Sequence, residues 1–179
     1  MCTELVKINQ KKLDIFIDLR YSTNNNFTNK KIYLGKNCFL HKTAYEHLIL
    51  AIEIAKKMSF KIKIFDAYRP VHVQKKLWDY LPDPTFIVPP NKGSPHSRGV
   101  AVDLTLTNLK GEELDMGTGF DEFSRLSFHG CKDISKEAYS NRTMLLGIMT
   151  DAGWDFFRNE WWHYQLFNSK SFPIILDNY

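Results

Sequence analysis

Two histidines, two carboxylates and an arginine stand in this sequence at spacings that suit metal-assisted hydrolysis. The first stretch is Ser94-Pro-His-Ser-Arg-Gly-Val-Ala-Val-Asp103-Leu-Thr-Leu, in which Val100–Leu106 reads as a strand. In a strand Val100, Val102, Leu104 and Leu106 point into a core, while Ala101, Asp103 and Thr105 point the other way. The Asp103 carboxylate then lies on a face of small side chains that leaves room for something to approach. Gly99 lets the backbone turn so that His96 folds back towards Asp103. A histidine and a carboxylate brought together in this way make two-thirds of a catalytic zinc site. A capped loop in which His96 only hydrogen-bonds fits the same pair.

The second stretch is Asn159-Glu-Trp-Trp-His163-Tyr-Gln-Leu, which reads as a strand over Trp161–Phe167. Within a regular strand Glu160 and His163 face opposite sides, because three positions is an odd spacing. They converge only if Glu160 lies in the preceding loop or at a bulge. The polar Arg158-Asn159 favours the loop. His163 then supplies a third ligand, and Glu160 stands where it can take a proton from a metal-activated water. A surface glutamate beside a histidine packed among aromatics is the plain alternative.

The third stretch is Ile64-Phe-Asp66-Ala-Tyr-Arg69-Pro70. Pro70 biases Arg69 away from helical geometry, and an always-charged guanidinium suits an oxyanion. An Arg69–Asp66 surface pair is the alternative here. His41, His47 and His72 have no partner motif and read as surface residues. His129 is a lone candidate for the pocket lining, and Cys131 beside it has no assigned role. Trp161 and Trp162 read as core or pocket wall.

The elements that must position these groups are three helices and four strands. Helices are expected over Lys42–Met58, with Leu48, Ile52 and Ala55 on one face, and from Pro70 to Tyr80, anchored by Leu77 and Trp78. A third covers Lys136–Ala152, with Ser135 as N-cap, Gly153 as stop and Leu145, Ile148, Met149 and Ala152 inward. The strands are Asp14–Leu19, Lys61–Asp66, Val100–Leu106 and Trp161–Phe167. No regular βαβ alternation appears. The expectation is therefore one α+β domain over residues 1–179, with helices packed on a small, mostly antiparallel sheet.

Composition fits that reading and narrows the function classes. Of 179 residues, 44% are apolar and 25% charged, as in ordinary globular proteins. The net charge is +4, but basic residues come in ones and twos, so nucleic-acid binding is not expected. The three cysteines, Cys2, Cys38 and Cys131, are odd in number and far apart, which argues against a disulfide framework or a cysteine zinc site. With no secretory apolar run at the N-terminus and no membrane span, the expected location is the cytoplasm. Oligomeric state has no signature here.

Together the motifs resemble the zinc D-alanyl-D-alanine dipeptidases. The matching text is Asp66-Ala-Tyr-Arg69-Pro, Ser94-x-His96-x-x-Gly99-x-Ala101-x-Asp103, Met116-Gly-Thr-Gly-Phe-Asp121 and Glu160-Trp-Trp-His163. Tyr21-Ser-Thr and Asn26-Phe27-Thr28 also resemble that family's N-terminal segment, so the likeness runs from about Asp18 to Phe167. The resemblance implies a zinc D,D-peptidase fold, shared with D,D-carboxypeptidases and the hedgehog signalling domain. It implies one Zn2+ held by His96, Asp103 and His163, with Glu160 as general base and then acid, and Arg69 on the oxyanion. It places Ser94, Asp121 and Tyr21 at the ends of a small dipeptide, D-Ala-D-Ala. Asp121 would meet the ammonium, and the hydroxyls of Ser94 and Tyr21 the carboxylate. The Leu81–Gly93 connection looks shorter than in the longer resistance enzymes, which puts the rim's shape in question. The main rival is a D,D- or L,D-carboxypeptidase acting on murein peptides. A non-catalytic zinc domain and a non-haem iron oxygenase are lesser ones, the latter because it uses the same two-His-one-carboxylate set.

Overall fold

The computed structural model describes residues 4–33, 35 and 37–176. Its central strand, β5 (Ala101–Thr107), is buried along its whole length. Four other strands flank it: β2 (Phe16–Ile17), β4 (Lys61–Asp66), β6 (Trp154–Phe156) and β7 (His163–Leu166). The five-stranded sheet has the order β2-β4-β5-β7-β6. Only the β2–β4 pair is parallel. A separate antiparallel ribbon joins β1 (Leu5–Lys7) to β3 (Phe39–His41).

The helices are a short α1 (Gln10–Leu13), α2 (Lys42–Lys57), α3 (Val71–Tyr80) and α4 (Lys136–Asp151). In α2 the buried stripe is Ala44, Leu48, Ala51 and Ala55, with Ile52 only partly buried. Small residues on that stripe let the helix lie close on the sheet, over Ile62, Ile64, Val102 and Leu104. Ser135 caps α4 as expected, its hydroxyl accepting from the Ala138 N–H at 3.0 Å. Leu145, Ile148, Met149 and Ala152 join the core. Pro70 precedes α3 rather than opening it, and Leu77 is the buried anchor, Trp78 being half-buried. The architecture is α+β, as expected. Among the described residues no helix is long and apolar enough to cross a membrane.

Three local expectations are corrected. The strand at Asp14–Leu19 shrinks to Phe16–Ile17, because Asp14 takes a left-handed conformation (φ 54°) that closes α1. The last strand starts at His163, not Trp161; the two tryptophans lie in a turn, held by tertiary packing against their strand propensity. β6 has no counterpart in the sequence reading, being only three residues long. Two of the three supposed surface histidines also do structural work. His41 Nδ1 caps α2 by accepting from the Thr43 N–H at 3.2 Å, and His47 Nδ1 bonds the Ala152 carbonyl at 2.7 Å. His72 is exposed, as expected.

Candidate metal centre

Three neighbouring strands carry the centre in one row. Asp103 on β5 pairs in register with His163 on β7 and, on its other side, with Asp66 at the end of β4. The register shifts between Ile64 and Asp66, so that Phe65 is an extra residue. That bulge re-aims Asp66. In a regular strand it would share the core face of Ile64, whereas here it stands beside Asp103 on the opposite face. The chain leaving β4 then contributes three groups in four residues: the Asp66 carboxylate, the Ala67 carbonyl and the Arg69 guanidinium.

His96 comes from a single 3-10 turn, His96–Arg98, closed by Gly99 at φ 69°. Its Nδ1 bonds the Ala67 carbonyl at 2.7 Å, which fixes the proton there and leaves the Nε2 lone pair inward. His163 has the opposite arrangement. Its Nε2 bonds Gln165 Oε1 at 3.3 Å, so Nδ1 carries the free lone pair. His96 Nε2 lies 3.1 Å from His163 Nδ1 and 3.3 Å from Asp103 Oδ1, and the last two are 3.0 Å apart.

This donor set fits a metal ion. Two imidazole lone pairs and a carboxylate oxygen face one another, and both ring protons are engaged elsewhere. Ligands at 2.0–2.1 Å around a tetrahedral zinc are roughly 3.3 Å apart, close to the spacing seen. The three atoms are the metal-ligand group found among the described residues, and all three residues are buried. Burial alone would raise the Asp103 pKa. In the metal-free site, protonation of His96 and His163 would supply charges and hydrogen bonds that outweigh burial and hold the carboxyl below its ordinary range.

One cleft of about 490 Å³ gathers all the predicted site residues. Glu160 lies outside any strand, in the turn between β6 and β7, as its spacing from His163 required. The turn is held by the Glu160 N–H donating to the Phe157 carbonyl at 3.2 Å and the Trp161 N–H to the Ser127 carbonyl at 3.0 Å. Glu160 is 6% exposed, and burial first, then the Asp103 and Asp121 charges, push its pKa well above the carboxylate range. Arg69 is buried as well, so the surface-pair alternative fails. Its Nε donates to Asp66 Oδ2 at 2.8 Å, one Nη to Gln74 Oε1 at 2.9 Å, and the other reaches Asp103 Oδ2 at 3.5 Å. Asp66 in turn accepts from the Tyr33 hydroxyl at 2.8 Å.

Elsewhere in the cleft, Ser94 Oγ accepts from the His96 N–H at 3.2 Å, which leaves its own proton available. Tyr21 differs from expectation. Its hydroxyl donates to Asp121 Oδ1 at 3.0 Å, so its proton is committed. Among the described residues, Asp121 Oδ2 is buried without a hydrogen-bond partner. Burial, followed by the Asp103 charge, raises the Asp121 pKa. His129 is not part of the cleft lining. It packs on Phe156 and Tyr164, and burial with the nearby Arg142 charge pushes its pKa down to about 4. Trp162 lines the cleft, while Trp161 is core. Gln74 and Gln165 went unread as supports, since an isolated glutamine carries no signal of what it holds.

A family profile described as D-ala-D-ala dipeptidase matches residues 1–177. The D-alanyl-D-alanine dipeptidase of Escherichia coli (strain K12) is 41% identical over 177 residues, 99% of this chain and 92% of that one. The D-alanyl-D-alanine dipeptidase of Streptomyces coelicolor is 33% identical over 170 residues, 83% of this chain and 84% of that one. Among solved structures, the LdcB LD-carboxypeptidase aligns with a TM-score of 0.50 at 17% identity, covering 74% of this chain and 61% of that one, a likeness of fold.

Proposed function

The chain belongs to the D-Ala-D-Ala dipeptidase family, and from that premise we propose that it is a zinc peptidase hydrolysing free D-Ala-D-Ala, with Glu160 as general base. The observation that carries the reading is the convergence of three proton-free donor atoms within 3.3 Å of one another, in the same cleft as a buried glutamate. His96 Nε2, Asp103 Oδ1 and His163 Nδ1 would hold one Zn2+. When bound, the ion acts as a Lewis acid on the peptide carbonyl and lowers the pKa of a coordinated water to about 7.

Glu160 accepts a proton from the attacking water and returns it to the leaving amine. Burial raises its pKa, which makes it a better proton acceptor than an exposed glutamate. Arg69, locked by Asp66 and Gln74, presents its charge to the oxyanion that develops on the carbonyl. One preorganised donor of this kind contributes about 3 kcal/mol. Asp121 offers its unpaired oxygen to the substrate ammonium while Tyr21 fixes the other. Ser94 offers a hydroxyl proton to the carboxylate. A site that matches both charged ends favours a free dipeptide over a longer peptide.

The test is release of D-alanine from D-Ala-D-Ala by zinc-loaded protein, beside Glu160→Ala and an N-acylated dipeptide, with the bound metal quantified. Hydrolysis of the free dipeptide alone, lost by about 10²-fold or more in Glu160→Ala, is expected. Preference for the acylated peptide would move the chain to the carboxypeptidases. Tight zinc binding with no hydrolysis would mark a non-catalytic domain, and iron in place of zinc an oxygenase site.

A further inference from the structure

The stretch from Met116 to Phe128 carries Asp121 but contains no strand or α-helix, only one 3-10 turn at Arg125–Ser127. Asp121 itself has φ 61°, a left-handed conformation that residues other than glycine seldom adopt. Something must hold this loop. The buried stripe of α4 runs Ala138, Arg142, Leu145, Met149, and its one charged member is 4% exposed. The Arg142 guanidinium bonds carbonyls and a hydroxyl rather than a carboxylate. Nε donates to the Met116 carbonyl at 2.6 Å, and Nη1 to the Leu126 and Phe128 carbonyls at 2.7 and 3.3 Å. Nη2 donates to Thr118 Oγ1 at 3.3 Å. Every one of these acceptors brackets Asp121.

The same knot reaches the turn of Glu160. Trp161 Nε1 donates to Thr118 Oγ1 at 2.8 Å, and the Arg142 guanidinium carbon lies 5.7 Å from the Trp161 ring centroid. The backbone closes it from both sides, through the His129 N–H on the Arg158 carbonyl at 2.9 Å and the Trp161 N–H on the Ser127 carbonyl.

We infer that Arg142 is a positioning residue: by gathering the carbonyls on either side of Asp121 and backing Trp161, it sets the ammonium-facing carboxylate and the base turn on one scaffold. This rests on the roles proposed for Asp121 and Glu160. Sheet register fixes Asp103 and His163, whereas a single side chain from α4 fixes the two carboxylates proposed to serve the substrate.

Arg142→Lys tests it, because lysine keeps the charge but cannot fork across several acceptors. Hydrogen exchange of the metal-loaded full chain should quicken at residues 116–128 and 158–161 and stay as in wild type at β4, β5 and α2. Unchanged exchange over 116–128 overturns the proposal, and so does a uniform rise across the chain. In kinetics, KM for the free dipeptide should rise about tenfold or more, the loss of one charge-assisted contact, together with a fall in kcat. In an Asp121→Asn background the same change should leave KM within about twofold, because both act through one contact. Independent, multiplying effects overturn the link to Asp121. If Asp121→Asn alone leaves KM at wild type, the ammonium role fails, and the exchange pattern alone decides on Arg142. Should Arg142→Lys not fold, Arg142→Gln, which keeps two N–H donors, goes through the same measurements.

Discussion

Glu160, the proposed base, illustrates how a group suited to chemistry works against the fold. Its pKa is raised chiefly by burial, with Asp103 and Asp121 adding to it. A raised folded-state pKa means that folding favours the protonated form. That contribution is whole below the unfolded value of about 4.3 and is lost as pH rises through the folded one. At neutral pH the burial of this carboxyl therefore costs the metal-free fold stability. Glu160→Gln should lower kcat by about 10²–10⁴-fold and at the same time raise the Tm of the metal-free protein. For a chain of this size each kcal/mol relieved corresponds to roughly 2–4 °C. The gain should shrink on acidification, as wild-type Glu160 takes up its proton. Melting curves of both proteins at neutral and acid pH check it, and an unchanged or lowered Tm at neutral pH contradicts it.

Among the elements, the turn that carries His96 is the most demanding. Gly99 closes it at φ 69°, and a Cβ there would lie 3.0 Å from the His41 backbone nitrogen and 3.0 Å from Leu5 Cδ2. Its carbonyl also accepts from the His41 N–H at 2.8 Å. Gly99→Ala should cost about 1–2 kcal/mol from the backbone alone, roughly 2–8 °C in Tm, and weaken zinc binding by moving His96. A melt and a zinc titration decide the point; wild-type values in both would mean the turn does not position the ligand. Gly99 and the alternation that turns Asp103 outward were legible, because both are local rules written over a few residues. The position of Glu160 ahead of its strand followed from one odd spacing. The bulge at Phe65 was not legible: regular alternation assigns Asp66 to the core face, and only pairing with β5 corrects it. Arg142 was hidden for a related reason. Its stripe position is visible in the sequence, but the carbonyls it collects belong to a loop whose path no local pattern encodes.

At the scale of the molecule, the proposed ligands come from a turn, a central strand and the β6–β7 hairpin, with His96 and His163 67 positions apart. An ion bound there ties together parts of the chain that are remote in the unfolded state. With free zinc at 100 times its Kd, linkage contributes about 2.7 kcal/mol, or roughly 5–11 °C in Tm. Chelation should remove that increment, and His163→Ala should melt at one temperature with or without zinc; differential scanning calorimetry at fixed free zinc measures both. The row Asp66–Asp103–His163 has a further consequence. Its members are separated by the spacing of adjacent strands, about 4.8 Å, a length set by backbone hydrogen bonding and not by side chains. Arg69 is anchored at one end of that row, on Asp66, and the proposed ligands Asp103 and His163 make up the rest. The spacing from Asp66 to His163 is thus a constant of the sheet, and the cleft's edge touches it through Gln74, which accepts from Arg69 and donates to the Val88 carbonyl at 2.7 Å. Changes in the Leu81–Gly93 rim that keep the Val88 carbonyl in place would alter what enters the cleft without moving the row beneath.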